Sequence, residues 1–448
     1  MSVVVMKFGG TSIADADKIR RAADRAIRCR RAGNQVVVVV SAMGKRTDAL
    51  IDLAHQITKD PPRREMDQLL ATGEQVTIAL MAMTLHTRGV DAISLTGAQI
   101  RLITDEVHMR ARVKSIDAER VREHLRAGRI VIVAGFQGIT PDGHVTTLGR
   151  GGSNVSMVAM AAALGGVCEN FTDVDGVFTA DPRIVPNARK VDRISYEEML
   201  QLAGLGAAVL QDRAVELAMH HNVPIHVRNT NHNRKGTLIV PATEAMERIV
   251  VVGAALKEKL GRVTLTGTPN RPGIVAKIFQ VVANHNIIVD DIIQTVVDRK
   301  TATVSFTIDL TDLPDIRKVV NDLSKKLKCK AVYEDHLAKV AIVGGGMRTH
   351  AGVAFKMFSA LGKAGVNIEN ISTSEIKISC LVEARSAKKA LRIVHDAFDL
   401  GRGQYILEPR VAARPAHKKT ARKKATGKKA VGKKTARKKA TKKKTRKS

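Results

Sequence analysis

Lysine, arginine and acidic side chains stand beside glycine-rich or turn-rich segments at three places in this 448-residue chain. The first segment is KFGGTS at residues 7–12, in which Lys7 precedes two glycines. Glycines let backbone N–H groups approach phosphate oxygens, and a neighbouring lysine neutralises phosphate charge. A tight turn with a solvated lysine has the same composition. The motif therefore predicts a phosphate cradle only in combination with further segments.

A second segment, TTLGRGGSN at residues 146–154, places Arg150 between glycines directly before a helix of small residues. An anion or carboxylate fits such a helix N-terminus, although a glycine-rich hairpin is a plainer interpretation. A third segment, FTDVDGVFTADPR at residues 171–183, has acids suited to Mg²⁺ or ribose and an arginine suited to phosphate. Aspartates also cap turns. Glu74 is placed early in an apolar helix, where an acid is usually a cap.

These segments fall between strands and helices that are predicted to alternate along the first half of the chain. Buried strands are indicated by VVVMKF (3–8), QVVVVV (35–40) and RIVIVA (129–134), and helical patterns occur at 15–31 and 66–88. Continuous Val and Ile strands that alternate with helices favour an α/β sandwich with a mostly parallel central sheet.

The second half of the chain has a different pattern with an internal repeat. Residues 271–292 align with residues 350–371, and each copy reads strand, helix, strand, strand, helix, strand. The exposed sheet face of so small a unit usually needs a neighbour, so we expect the two copies to pair. The divisions expected along the chain are 1–245, 257–333, 337–409 and a tail at 414–448.

The net charge of +31 is typical of a nucleic-acid-binding protein, but it is unevenly distributed. Residues 414–448 contain 14 Lys, 4 Arg and no acid, whereas the other 413 residues hold 56 basic and 43 acidic side chains. We expect this tail to be disordered. It is suited to non-specific association with DNA, RNA or polyphosphate, or to solubility alone. Because its repeat lacks aromatic residues for base stacking, nucleic-acid binding as the primary function is the lesser alternative.

The remaining composition excludes several classes of protein. No apolar run approaches 18 residues, so no transmembrane helix is expected. The first residues lack the basic and apolar regions of a secretory signal. Four scattered cysteines without C-x-x-C spacing argue against a disulfide framework or a zinc site. We therefore expect a cytoplasmic protein that does not enter a membrane.

Taken together and in order, the motifs resemble those of the aspartokinases. They are KFGGTS (7–12), SAMGKRTDAL (41–50), LLATGEQVT (69–77), FQGIT (136–140), TTLGRGGS (146–153) and FTDVDGVFTADPR (171–183). The repeated units resemble the paired ACT domains of the same family, down to STSEIKIS (372–379). The resemblance covers residues 3–407. It implies an amino-acid-kinase three-layer sandwich, two ferredoxin-like βαββαβ ACT domains and a disordered basic tail.

The resemblance implies transfer of the ATP γ-phosphoryl group, with Mg²⁺, to the side-chain carboxylate of L-aspartate. The product is 4-phospho-L-aspartate, the first step towards lysine, threonine and methionine. Such a nucleophile is already ionised at pH 7, so positioning and charge neutralisation suffice without a general base. One alternative is a catalytically impaired paralogue that acts as an amino-acid-sensing regulatory subunit. Kinases of acetylglutamate or glutamate lack this whole set of motifs.

The resemblance also assigns functional residues position by position. The catalytic positions are Lys7, Arg150 and Asn154. Substrate-binding positions, with Arg150 for a substrate carboxylate and Glu74 for the α-ammonium, are Thr47, Glu74, Arg150 and Ser153. The ATP-binding positions are Lys7, Gly9, Gly10, Ser41, Thr172, Asp173, Phe178 and Arg183. No residue is assigned as a direct metal ligand.

An amino-acid effector, lysine or threonine, is implied at the ACT domains, which are expected to join chains into a homodimer or a higher homo-oligomer. The contacts assigned in the first unit are Asn270, Gly273, Ile274, Val289, Asp290 and Gln294. The contacts assigned in the second unit are Ala351, Val353, Asn367, Ile368, Glu369, Thr373, Ser374 and Glu375.

The chain departs from the family pattern at four positions. Asn154 stands where Asp is usual, and Ala208 replaces a lysine expected on the ATP phosphates. Phe178 stands for Tyr, and Asn270 for an effector-binding Asp. The first two exchanges remove one acid and one base near the phosphates, so the net charge of that site is preserved.

Overall fold

A computed structural model describes residues 2–206, 209–285, 287–403 and 405–406. The Lys-rich tail and Ala208 lie outside the described residues. No helix within these ranges is long and apolar enough to cross a membrane.

The first half of the chain is built on an eight-stranded sheet. Its strands are β1 (Val3–Phe8), β2 (Gln35–Val40), β3 (Ala92–Leu95), β6 (Ile130–Ala134), β9 (Val167–Thr172), β10 (Arg193–Ser195), β11 (Ile225–Asn229) and β12 (Thr237–Val240). They lie in the order β10-β12-β11-β9-β1-β2-β6-β3. All neighbours are parallel except β11 and β12. The predicted, mostly parallel central sheet is therefore confirmed.

Helices cover both faces of this sheet. They are α1 (Ala16–Arg31), α2 (Arg46–Ile57), α3 (Arg63–His86), α4 (Glu119–Arg126), α5 (Gly152–Leu164), α6 (Tyr196–Gly204), α7 (Asp212–His220) and α8 (Glu244–Glu247). Apolar side chains of α1 and α3 form one core with one face of the sheet. Those of α4, α5, α6 and α7 form a second core with the opposite face. The result is the expected three-layer sandwich.

A small sheet lies beside α3. Its strands are β4 (Leu102–Thr104), β5 (Val113–Ile116), β7 (Gln137–Ile139) and β8 (Val145–Thr147), in the order β5-β4-β7-β8. Asp67 of α3 is fully buried and accepts hydrogen bonds from the Met109 backbone N–H (3.1 Å) and the Thr147 hydroxyl (2.5 Å). Because a buried carboxylate needs such donors, these bonds fix the small sheet on the sandwich.

The second half of the chain contains the two repeated copies. Its strands are β13 (Ile249–Val251), β14 (Gly253–Pro269), β15 (Val289–Val296), β16 (Thr301–Asp309), β17 (Lys330–Val343), β18 (Asn370–Thr373), β19 (Lys377–Glu383) and β20 (Tyr405–Ile406). Its helices are α9 (Ile274–Asn284), α10 (Leu313–Leu327), α11 (Val353–Lys363) and α12 (Ala387–Ala397). The first pair of helices covers one copy and the second pair covers the other.

The two copies share one continuous sheet in the order β15-β16-β14-β17-β19-β18. β14 and β17 are long enough to run through both copies, and their pairing shifts register between Lys257 and Arg262. The first residues of β14, Gly253–Lys257, thereby pair with the end of β17. The last strand of the second copy, β20, pairs with β13 instead of entering this sheet. The copies are thus paired edge to edge within the chain.

Candidate active site

Lys7 lies near the carboxyl end of β1, a central strand of the sheet. Its neighbours across the parallel ladders are Val39 and Asn170. The side chain is half-buried. Burial lowers the pKa of Lys7 to about 8, and the nearby carboxylate of Asp173 opposes this shift. The ammonium group is therefore short of compensating charge and is suited to an anionic ligand.

The loops that follow β1 and β2 touch each other beside Lys7. The Gly44 N–H donates to the Gly10 carbonyl at 3.0 Å. A Cβ at Gly10 would lie only 2.8 Å from the Ala42 carbonyl, so this approach requires glycine. Since both strands point to the same edge of the sheet, the KFGGTS and SAMGKRT segments form one wall of a common site.

The start of α5 forms a second wall. Ser41, after β2, donates a hydrogen bond from its hydroxyl to the Ser153 hydroxyl at 2.9 Å. The residue before the helix, Gly151, has a φ of 71° and no capping side chain, and the first turn contains no acid. The first-turn N–H groups and the positive end of the helix dipole favour an anion at this point. Asn154 is buried there, and its Oδ1 has no hydrogen-bond partner.

Arg150 is exposed on the turn that leads into α5. Gln211, which precedes α7, packs against the same turn, since a Cβ at Gly151 would lie 2.9 Å from the Gln211 Cβ. The Gln211 Oε1 is also buried without a partner. An arginine, a helix N-terminus and unpartnered amide oxygens therefore surround one small volume.

Glu74 does not cap a helix, contrary to the plainer sequence interpretation. α3 begins at Arg63, so Glu74 lies in the middle of the helix, where its side chain is only 2% exposed. Its Oε1 accepts the Ala42 backbone N–H at 2.9 Å, and its Oε2 has no partner. Burial raises the pKa of Glu74 to about 8. A buried carboxylate with one free oxygen is suited to a cationic ligand group such as an ammonium.

Thr47 is half-buried in the first turn of α2, which packs on α3. The position of Gly73 shows the closeness of this packing, since a Cβ there would lie 3.7 Å from the Leu50 side chain. Thr47 and Glu74 therefore stand on two helices in contact.

The predicted nucleotide segment begins at the end of β9. The Thr172 hydroxyl donates to the Asp173 carboxylate at 3.1 Å. Asp175 accepts from the Asn229 side-chain amide at 2.6 Å and lies 2.8 Å from His232 Nε2. Its carboxylate is thus already partnered within the protein, whereas Asp173 is exposed at the sheet edge.

The two remaining nucleotide positions lie farther along this segment. Phe178 forms a β-bridge with Lys190. Arg183 is exposed and forms an ion pair with Asp181 at 2.7 Å. The structure therefore places Lys7, Gly9, Gly10, Ser41, Ser153, Asn154 and Thr172 at strand ends or at the helix start that meets them. It does not bring Phe178 and Arg183 into direct contact with that group.

Two positions that support the candidate site, Arg25 and Phe136, were missed by the sequence interpretation. Buried Arg25 donates to the Thr230 and His232 carbonyls at 2.7 Å each and stacks on Phe171, so it holds the loop beside Thr172. Arg25 is one of several arginines in α1, and no feature of the sequence distinguishes it from the others. Phe136 has a φ of 66°, rare for a non-glycine residue, and its ring approaches Gly152. Backbone strain of this kind is concentrated at functional sites. The sequence signal that could have indicated Phe136 is its position just after the strand β6.

In the second half, Ile274 and Val353 are the first residues of α9 and α11, and both side chains are in the core. A ligand at these helix starts would therefore meet backbone N–H groups. Asn270 donates from its amide to the Asp298 carbonyl at 3.3 Å. Gly273 directly precedes α9 with a φ of 87°.

The predicted effector positions of one copy are joined to the other copy by ion pairs. Asp290, on β15, lies 2.5 Å from the buried ammonium of Lys339 on β17. Glu369 lies 3.7 Å from the guanidinium of Arg262 on β14, within a cavity of about 490 Å³ on the sheet. The first and second copies are therefore not electrostatically independent.

The other predicted effector positions follow the strand edges and turns. Val289 and Gln294 lie on β15, and Thr373 lies on β18. The Asn367 amide donates to Glu369 at 2.7 Å. Ser374 donates its N–H to the Lys377 carbonyl. Ala351 is exposed, Ile368 packs against the second copy's core, and Glu375 pairs with Arg348.

Within the described ranges, no group of three or more His, Cys, Asp or Glu side chains is arranged to hold a metal ion. Mg²⁺ commonly binds through substrate phosphates and few protein groups. Binding of Mg²⁺ mainly through nucleotide phosphates fits the candidate site, because its unpartnered buried oxygens belong to amides and to the single carboxylate of Glu74.

Known proteins share this architecture. The amino acid kinase family model matches residues 2–229, and ACT domain models match residues 262–327 and 340–398. An aspartokinase of Geobacillus stearothermophilus is 48% identical over 401 residues, covering 89% of this chain and 98% of that protein. The E. coli aspartokinase III structure with aspartate and ADP has a TM-score of 0.77 at 27% identity, covering 89% of this chain and 100% of that one. The same enzyme with lysine and aspartate has a TM-score of 0.69 at 27% identity, covering 88% and 99%.

The burial of Glu74 predicts a pH-dependent stability of the ligand-free protein. Its pKa is raised in the folded state, so the stability from its protonated form is present below about pH 4.5 and lost as the pH rises to about 8. The variant Glu74→Gln keeps the acceptor for Ala42 without this loss. We expect its advantage in free energy of unfolding over the parent chain to grow by about 1.4 kcal/mol per pH unit between these limits.

Urea unfolding of both proteins at pH 6 and pH 8 measures this difference. Glu197→Gln, at an exposed position of α6, is the matched control and should show no trend. A difference that stays constant with pH would contradict the assigned environment of Glu74.

Proposed function

Because the chain belongs to the aspartokinase family of ATP-dependent aspartate kinases, we propose that the site around Lys7 transfers the ATP γ-phosphoryl group to the aspartate side chain. The observation that carries this proposal is that the half-buried Lys7 lies on the face of the sheet against which α5 packs, and that no side chain caps the N-terminus of α5. The comparisons give no support to the alternative of an impaired regulatory paralogue.

In the proposed site, Lys7 and the first-turn N–H groups of α5 bind phosphate oxygens and stabilise the charge of the transferring group. The free oxygen of Glu74 accepts the α-ammonium of aspartate. Arg150, on its exposed turn, binds a carboxylate of the same substrate. The E. coli relative is named as a complex with aspartate and ADP, which supports this pairing of ligands.

The other assigned residues complete the ligand contacts. Thr47 and Ser153 are proposed for aspartate. Gly9, Gly10 and Ser41 supply donors near the phosphates, and Asn154 is proposed beside the transferring group. The nucleotide contacts proposed on the β9 side are Thr172, Asp173, Phe178 and Arg183. Mg²⁺ would be carried by the nucleotide phosphates, where it neutralises charge.

Activity is tested with ATP, Mg²⁺ and L-aspartate, with hydroxylamine to trap the acyl phosphate. We expect hydroxamate to form with the parent chain. We expect Lys7→Met to lower kcat by about 10³-fold, since cationic groups aimed at a transferring phosphoryl are worth that order. Glu74→Gln should mainly raise KM for aspartate.

The exposed variant Lys45→Met, in the neighbouring loop, is the matched control for Lys7. No hydroxamate from the parent chain would overturn the proposed activity. Full activity of Lys7→Met would overturn the role of that residue.

We further propose that the kinase region is residues 1–245 and that the ACT regions, 257–333 and 337–409, bind lysine or threonine and join chains into a homo-oligomer. The E. coli relative is named as a lysine complex in a T-state. The outer strand β15 exposes Ile292 and Val296 on the surface, which fits pairing with a second sheet. The substrates are metabolites of the cytoplasm, which we propose as the location.

Lysine or threonine should inhibit the activity. We expect Asn367→Ala, in the second copy, to raise the half-inhibitory concentration about tenfold, in the usual range of coupling between sites. Asn270→Ala is the matched variant in the first copy and should have a smaller effect. Insensitivity of the parent chain to both amino acids, or a light-scattering mass of one chain, would contradict the corresponding proposal.

The tail at 414–448 suggests a second activity, because its 18 basic residues without an acid can neutralise many phosphates. We expect the full chain to be retained on a DNA column at about 0.1 M salt and released as salt rises. A chain ending at residue 413 should pass through, and one with the tail lysines replaced by glutamine is the matched control. Equal retention of all three would exclude this association.

A further inference from the structure

The position beside Lys7 in the sheet is occupied by a fully buried polar residue, Asn170. Lys7 on β1 and Asn170 on β9 are direct partners in the parallel ladder. Partners in neighbouring strands project to the same face of a sheet. Val5 and Cys168, two residues earlier on each strand, belong to the core that α5 completes. Lys7 and Asn170 therefore both project towards the start of α5.

The side chain of Asn170 is only half satisfied. Its amide donates to the Val209 carbonyl at 3.3 Å, but its Oδ1 has no hydrogen-bond partner. A buried unpaired acceptor destabilises a fold. Cys168, two residues earlier on the same face of β9, belongs to the apolar core, so an apolar side chain would suit this layer. No protein group donates to the Asn170 Oδ1 in this structure, which leaves this oxygen available as an acceptor.

Lys7 is the adjacent group that carries such donors. An ammonium has three N–H donors and no acceptor. Asp173 is the charged group that raises the pKa of Lys7 against the effect of burial. Val39, its ladder partner on β2, is uncharged, as are Ser153 and Asn154 in the first turn of α5. An amide oxygen can hold the ammonium without competing with phosphate for its charge.

Asn170 also contacts the segment between α6 and α7. Val209, whose carbonyl it binds, is one residue from position 208, where the family lysine is replaced by Ala208. Gln211, two residues beyond Val209, packs against Gly151 at the start of α5. One side chain thus joins the strand of Lys7 to the segment that borders the phosphate-binding turn.

We propose that Asn170 is a positioning residue for phosphoryl transfer, which rests on the proposed role of Lys7. With nucleotide bound, its Oδ1 accepts one N–H of the Lys7 ammonium, so that the other two point to phosphate oxygens. Its amide fixes the Val209 carbonyl and, through it, the segment before α7. Asn170 thereby keeps Lys7 protonated and directed at the phosphates, in a chain that has Ala208 where the resemblance implies a second lysine.

The test measures the protonation of Lys7 directly. Competitive acetylation of the full chain with saturating ADP and Mg²⁺ from pH 6 to pH 10, read by mass spectrometry on the peptide with Lys7, gives its titration midpoint without using activity. We expect Asn170→Leu to lower this midpoint by about one pH unit, because a hydrogen bond to the charged form is lost. Asn170→Asp should raise it, because a carboxylate favours the charged form.

Kinetics provide the second measurement. We expect Asn170→Leu to lower kcat about tenfold with KM for aspartate nearly unchanged, and to move the basic limb of the pH profile of kcat to lower pH in step with the midpoint. Asn34→Leu replaces a half-buried asparagine whose amide donates to the Cys29 carbonyl before β2. It is the matched control and should leave the Lys7 midpoint unchanged.

A Lys7 midpoint that is the same in the parent chain, Asn170→Leu and Asn170→Asp would overturn the proposal, whatever their stability. If the leucine variant fails to fold, Asn170→Asp and Asn170→Ser decide by the same labelling. The activity of Lys7→Met tests the proposed role of Lys7 separately. Full activity of that variant would contradict the proposed function, whereas an unchanged Lys7 midpoint would contradict only the role of Asn170.

Discussion

The architecture of the site depends on a lysine that is partly withdrawn from water at the end of a central parallel strand. Flanking strands on both sides of β1 leave Lys7 little solvent, and burial lowers its pKa to about 8. Parallel strands bring all their carboxyl ends to one edge, so the loops after β1, β2 and β9 and the start of α5 collect around this ammonium. Asp173 is the acid whose charge opposes the effect of burial on this ammonium, and an anionic phosphate would add to that compensation.

The sandwich and the ACT sheet are joined by specific buried bonds. Glu198 of α6 accepts the Gly345 N–H at 2.9 Å with one carboxylate oxygen, and the Ser195 N–H at 3.1 Å with the other. The Thr179 hydroxyl lies 3.0 Å from the Nε2 of buried His395 on α12. Since buried polar groups require partners, neither half is complete without the other. α6 leads directly into the segment that Asn170 holds, so the ACT sheet and the Lys7 site meet the same helix.

The sequence predicted most of this fold because continuous Val and Ile strands and the internal repeat are strong periodic signals. β1 and β2 coincide with the predicted residues 3–8 and 35–40. Glu74 was placed near a helix start because the polar first turns of α3 give no apolar periodicity. The sharing of β14 and β17 by both copies depends on a register shift that no local pattern encodes. Asn170 was missed because one polar residue within a strand is identified only by its cross-strand partner.

The position of each charged group in this protein is more informative than the net charge of the chain. The basic tail dominates the total, yet nothing in its sequence resembles the chemistry of the site. Near Lys7 the balance depends on single groups, because a Coulomb interaction in a poorly hydrated site is several times stronger than at the surface. Asn154 and Ala208 stand where the resemblance to the aspartokinases implies an acid and a lysine. This exchange preserves the sum of the charges at the two positions but leaves neither of them charged. In the proposed site, the amide dipoles of Asn154 and Asn170 orient Lys7 without adding charge.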